Sequence, residues 1–226
     1  MFGPAPLSNL AISLDAPSFE PLEPLLDELE DRPVLAAIGA ALMAGVGPSV
    51  VQHLRNSGLV SVLDLRLFDD PHRMALLVEV AARAGVAGLT VQLAAGEASV
   101  RSAVVAARGR LPIVGVLSPP WLPEPAVVAA AATMAERCGV AGVMGTPRAL
   151  RAADAERRFG LRWAIQLSAE SSRSADVSGF VTEAIEAAST TVFVGRAVLQ
   201  APAPGAVIDQ IRARLDAEVT HGRATR

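Results

Sequence analysis

Short apolar runs alternate with amphipathic stretches along the whole chain. Leu10-Ala11-Ile12-Ser13-Leu14-Asp15 is nearly all apolar and ends on an acid, and Pro21 to Asp31 then carries leucines at helical spacing. The same pair recurs as Pro33 to Gly39 with Pro48 to Arg55, Leu59 to Leu65 with Pro71 to Ala84, and Gly88 to Leu93 with Ala98 to Arg108. It continues with Leu111 to Leu117 and Glu124 to Cys138, Val140 to Met144 and Pro147 to Phe159, Leu161 to Leu167 and Val177 to Ala188, then Thr190 to Gly195 and Pro204 to Glu218. The helical patterns tend to open on Pro or an acid and to close near Gly or a basic residue, which are the stereochemical start and stop signals of helices. Strands that are apolar on both faces and joined by helices form a parallel sheet covered by those helices. Eight such units in succession predict an α/β fold, a single (β/α)8 barrel, with an open doubly wound sheet as the alternative. In such a barrel the chemistry sits at the C-terminal ends of the strands, so polar residues there need an explanation.

The third strand carries the clearest exception to the apolar pattern, Leu63-Asp64-Leu65-Arg66-Leu67-Phe68-Asp69-Asp70-Pro71. In a plain strand Asp64 and Arg66 share one face and Leu63, Leu65 and Leu67 the other. Charges on an inward face are costly unless paired, so Asp64, Arg66 and Asp69 read as an alternating array and as the candidate catalytic set. A solvated charged turn at a strand end is the simpler alternative. Other strand ends offer Asp15, which is equally a helix N-cap, and Ser118, which precedes Pro119 and Pro120 and is equally part of a rigid turn. Gly195-Arg196 pairs an exposed amide with a guanidinium fork at a helix start, a combination suited to an anion.

Composition narrows the function classes. The 226 residues are 51% hydrophobic and 19% charged, enough for one sizeable core, so one domain is expected over 1–226 with flexible ends at 1–9 and 219–226. A net charge of −3 and basic runs no longer than two residues argue against nucleic acid and anionic membranes as partners. The single cysteine, Cys138, forms neither an internal disulfide nor a cysteine metal cluster, and the sequence has no membrane-length apolar run or signal-peptide pattern, so a cytoplasmic protein is expected. No zinc spacing, phosphate loop or dinucleotide fingerprint is present, and neither a metal nor a cofactor is expected. All 20 basic residues are arginine. Without lysine no Schiff base can form and no ammonium can donate a proton. His72 is the one imidazole near the charged stretch, although a helix-start position facing solvent explains it as well.

The spacing Asp64-x-Arg66-x-x-Asp69-x-Pro71 resembles the Asp-x-Lys-x-x-Asp-Ile-Pro signature of the orotidine 5'-monophosphate decarboxylase family, whose superfamily includes the hexulose phosphate synthases and keto-gulonate phosphate decarboxylases. Val194-Gly195-Arg196 is similar to the Val-Gly-Arg that closes the family's barrel, and the likeness runs from about Leu10 to Leu215. The resemblance implies a carbon–carbon lyase acting on a phosphorylated nucleotide or sugar. It implies Asp15 near the ribose, Ser118 near the pyrimidine, and Gly195 and Arg196 on the phosphate. It also implies a homodimer whose interface lies at the strand-three rim. The departures are chemical. Arg66 stands for a lysine, Ala37 for the family's other lysine or the sugar-phosphate lyases' metal-binding glutamate, and Gln92 for a histidine, while Ile165 to Glu170 replaces a Pro-Gly turn and puts Glu170 near the place of a glutamine. Guanidinium is a poor proton donor, so efficient orotidylate decarboxylation is not expected. Two readings remain, a diverged lyase and a non-catalytic barrel that keeps a ligand pocket.

Overall fold

A computed structural model describes residues 9–29, 32–117, 124–165 and 177–224, with side chains as far as 217. Eight parallel strands close into a barrel in chain order: β1 (Leu10–Leu14), β2 (Leu35–Gly39), β3 (Val60–Leu67), β4 (Leu89–Gln92), β5 (Ile113–Val116), β6 (Gly142–Gly145), β7 (Leu161–Ile165) and β8 (Thr191–Val194). Leu10 pairs with Val192 while Ala11 pairs with Leu35, so β1 joins both neighbours and leaves no open edge. That closure excludes the doubly wound alternative.

The helices are α1 (Glu23–Leu29), α2 (Ala40–Val46), α3 (Ser49–Asn56), α4 (Pro71–Ala84), α5 (Glu97–Ala107), α6 (Pro125–Cys138), α7 (Pro147–Ala152), α8 (Ala155–Arg158), α9 (Val177–Glu186), α10 (Arg196–Leu199) and α11 (Pro204–Ala224). Helix α4 occupies the predicted span, because Asp70 accepts the His72 and Arg73 N–H groups as N-cap, Pro71 fits the first turn and Gly85 closes it in the left-handed conformation. Helix α2 adds an element where sequence reading found only an unassigned Gly-containing stretch. Ala40, Ala41, Leu42, Met43 and Ala44 are strong helix formers, and that preference prevails over the flanking glycines. The predicted helix from Pro147 to Phe159 is two short helices, with Asp154 at φ 50° turning the chain between them.

Strand alternation builds two apolar layers. Leu10, Ile12, Leu14, Ala36, Ile38, Leu89 and Val91 pack outward against helices. Ala11, Leu35, Ala37, Val62, Val114, Met144, Trp163 and Phe193 fill the barrel. Trp163 and Phe193 are wholly buried, with ring centroids 4.9 Å apart. The indole reaches across to the residue before β4, where a Cβ at Gly88 would lie 2.7 Å from its Cη2, so only glycine fits there without a shift.

Candidate active site

Because all strands run in parallel, Asp15, Asp64, Gly195 and Arg196 share the rim at the strand C-termini. Ser118 and Glu170 lie outside the described residues. Asp15 follows β1 and is exposed, and its carboxylate leans over the end of β2. A Cβ at Gly39 would stand 2.5 Å from Asp15 Oδ1, so the absent side chain makes the room for the carboxylate. Gly39 is the register partner of Asp64, which brings the two acids to either side of β2's last residue.

The charged stretch on β3 is held by a distortion rather than by plain alternation. Leu63 pairs with Leu89 and Leu67 with Val91, so three residues of β3 face the single intervening Thr90 of β4. Arg66 sits at φ 46°, left-handed backbone that costs a non-glycine residue about 1–2 kcal/mol. Its guanidinium still returns to Asp64 as a two-point fork, Nε donating to Oδ1 at 3.2 Å and Nη2 to Oδ2 at 3.1 Å. A hydrogen bond to a charged group contributes about 1.5–3 kcal/mol, and two such bonds outweigh the strain even when discounted for screening of a guanidinium one-third exposed.

Thr90 completes this arrangement and was missed by sequence reading. It is fully buried, its Oγ1 accepts the Arg66 backbone N–H at 2.8 Å, and it lies 2.9 Å from Asp64 Oδ1 and 3.5 Å from the Leu63 carbonyl. Within an apolar strand a β-branched residue reads as packing, and only the register shift exposes its second role. On the same face of β4, Gln92 has a buried Oε1 with no hydrogen-bond partner among the described residues.

The expected Asp64-Arg66-Asp69 array divides in two within one chain. Arg66 engages Asp64, whereas Asp69 accepts the Asp70 N–H at 2.8 Å and lies 3.9 Å from Arg73. Asp70 belongs to helix α4. The Arg73 N–H, seconded by that of His72, holds its carboxyl below the usual carboxylate range. His72 is exposed in the first turn, and its backbone N–H is engaged by Asp70. Across the rim, Gly195 lies against β1, where an added Cβ would be 3.3 Å from Ser13 Cβ. Arg196 is exposed and makes no ion pair among the described residues. Ala37 sits in the barrel interior with Trp163 and Phe193, an apolar setting among the described residues. Among the described residues no three His, Cys, Asp or Glu side chains converge as a metal donor set.

A closed parallel barrel with acids and guanidinium groups gathered at the strand C-termini places the chain among the (β/α)8 barrels that carry their polar groups at that rim. A model of the orotidine 5'-phosphate decarboxylase / HUMPS family matches residues 8–211, and the chain belongs to that family. The orotidine 5'-phosphate decarboxylase of Anaeromyxobacter dehalogenans is 31% identical over 232 residues, covering 93% of this chain and 99% of that protein. That of Halorhodospira halophila is 28% identical over 92% of this chain and 96% of its own length. Among solved structures, the orotidine 5'-phosphate decarboxylase of Lactobacillus acidophilus superposes with a TM-score of 0.75 at 22% identity, covering 90% of this chain and 97% of that one, which supports the fold.

Proposed function

We propose that this chain is a diverged carbon–carbon lyase of the orotidine 5'-phosphate decarboxylase type that binds a phosphorylated nucleotide or sugar in its barrel mouth and decarboxylates orotidylate poorly. The observation that carries the second half is the cation inventory. The rim's β3 cation is an arginine committed to Asp64, and the β2 position that matches the family's other lysine is Ala37, paired with Val62 and buried among apolar side chains. A carbanion left by departing carbon dioxide needs a nearby acid, and a guanidinium with a pKa above about 12 gives up its proton reluctantly. In this reading Asp64, Arg66 and Asp69 occupy the reacting end. Asp15 and Ser118 contact the nucleoside, and Gly195 with Arg196 hold the phosphate through an amide and a fork. The absence of lysine from the sequence favours a second reading, a barrel that binds its ligand without turnover.

The working unit in this proposal is a cytoplasmic homodimer joined beside β3. Phe68, Leu76, Leu77 and Val80 are all exposed on the loop and helix that follow β3, an apolar surface next to Asp69. Arg73, 3.9 Å from Asp69 and 3.7 Å from Asp70, adds a charged border to that surface. Sedimentation of the intact chain showing a monomer at micromolar concentration contradicts the dimer.

Calorimetry with uridine 5'-monophosphate and orotidine 5'-monophosphate tests the binding. Uridylate binding is expected, with orotidylate weaker, because the extra carboxylate must enter a mouth that holds Asp15 and Asp64 and lacks the lysines. Failure of both nucleotides to bind at millimolar concentration overturns the nucleotide reading.

A further inference from the structure

We propose that Thr90 is the positioning residue of this site, its hydroxyl taking the place of a missing ladder partner so that the guanidinium of Arg66 stays forked on Asp64. The register is the starting point. Where three residues of β3 oppose one of β4, the Arg66 N–H has no strand carbonyl in line, and an unpaired amide in a half-buried strand is costly. Thr90 Oγ1 accepts that N–H at 2.8 Å. A hydroxyl has one proton to give and two lone pairs, so with Arg66 as donor the Thr90 proton goes to one acceptor. Asp64 Oδ1 at 2.9 Å is better placed than the Leu63 carbonyl at 3.5 Å. One buried oxygen therefore fixes both ends of the fork, the backbone from which Arg66 departs and the carboxylate to which it returns.

Asp64 is left with little freedom. Oδ1 takes Arg66 Nε and Thr90, and Oδ2 takes Arg66 Nη2. Valine matches threonine in shape but carries a methyl in place of the hydroxyl. In Thr90→Val the amide of Arg66 loses its acceptor, the left-handed turn loses its compensation, and the strand can return to ordinary pairing with the guanidinium directed elsewhere. Serine keeps the oxygen and restores the arrangement.

The test has an arm that needs no ligand. In protein labelled with 15N-arginine, the Nε–H signal of Arg66, assigned by its disappearance in Arg66→Ala, is expected to be shifted and slow to exchange with water in the unmodified chain. It should collapse into the solvent-exposed arginine signals in Thr90→Val and return in Thr90→Ser. Persistence of the signal in Thr90→Val, or its absence from the unmodified chain, overturns the proposal. Thr90→Ala gives the same readout if the valine variant does not fold.

The second arm rests on the nucleotide-binding reading. Uridine 5'-monophosphate affinity should fall roughly fivefold to tenfold in Thr90→Val, as for loss of one ordinary hydrogen bond, and Thr90→Val should add nothing in an Arg66→Ala background. Equal losses in both backgrounds mean that Thr90 acts independently of Arg66, which also overturns the proposal. If the unmodified chain binds no nucleotide, the nucleotide reading fails while the arginine signal still decides the role of Thr90.

Discussion

The two ends of the rim that most resemble the family differ in how complete they are. At the end of β3, Asp64, Arg66 and Thr90 satisfy one another through four hydrogen bonds of 3.2 Å or less, and a left-handed residue is held in place by them. At the end of β8, Gly195 packs closely on Ser13 while Arg196 extends into solvent without an ionic partner among the described residues. One region has spent its charge internally and the other has kept its charge for something else. A closed ion pair offers little to a ligand that must break it, whereas an unpaired guanidinium beside a backbone amide can accept an anion at no such cost. On the proposed nucleotide-binding reading, this difference puts the larger share of ligand affinity at the β8 end, with the β3 end forming a fixed wall of the site.

Chemistry offers the largest test of that contrast. Steady-state assay of the unmodified chain should show orotidylate decarboxylation many orders of magnitude below ordinary enzymes, whose turnover begins at about 1 per second. Arg66→Lys alone should not restore it, because residues that act as a unit are strongly non-additive. Only with Ala37→Lys added is a gain expected, and the new side chain must intrude on the packing around Trp163 at a cost of about 1–3 kcal/mol. Turnover near 1 per second in the unmodified chain would show that an arginine suffices.

A second test asks whether the barrel interior is merely filler. Trp163→Ala should lower unfolding free energy by about 3–5 kcal/mol in denaturant titrations, a loss that no rim substitution should match. At the open end, Arg196→Ala should weaken a nucleoside monophosphate by roughly tenfold to a hundredfold and leave the affinity for the phosphate-free nucleoside unchanged in calorimetry. Equal losses for both ligands place the phosphate elsewhere.

The smallest effect concerns acid stability. The Asp70 carboxyl is held below its ordinary value by the Arg73 and His72 amides. Its stabilising contribution is therefore complete above the unfolded carboxylate pKa of about 3.9 and disappears as pH falls through the lower folded value. Glu97 and Asp209 are lowered as well, the first chiefly by Arg101 and the second by Arg32, so the whole protein should lose stability over the same range. Asp70→Ala should reduce Tm by roughly 2–4 °C at pH 7 and by progressively less below pH 4. A constant deficit across that range means the cap does not titrate as described.

The barrel and its rim were legible in the sequence because each rests on local chemistry. The strand-then-helix pattern repeats eight times, prolines open several of the helices and glycines close some of them, and acids stand where apolar runs such as those of β1 and β3 stop. The bulge in β3 was not legible, because a register shift is a property of two strands and neither Leu63 to Leu67 nor Leu89 to Val91 announces it alone. For the same reason Arg66 and Asp64 were correctly placed together but by the wrong route, alternation instead of a left-handed turn. Thr90 is one residue of an apolar run and stands out only once the register is known, and the residues of α2 carried no assignment because the strand-then-helix pattern resumes at Pro48. Asp70 carried no role in the sequence reading, and its main partners are amides of the helix that it starts.

The stacked indole and phenyl rings also set the traffic of any reaction inside. With Trp163 and Phe193 fully buried across its middle, the barrel is a cup rather than a tube, with a floor and one mouth. A ligand must back out along the way it entered, and a small product released beneath it can escape only past it. In such a vessel, the order in which products depart is decided at the rim, by how long the last-held group keeps its place over the opening.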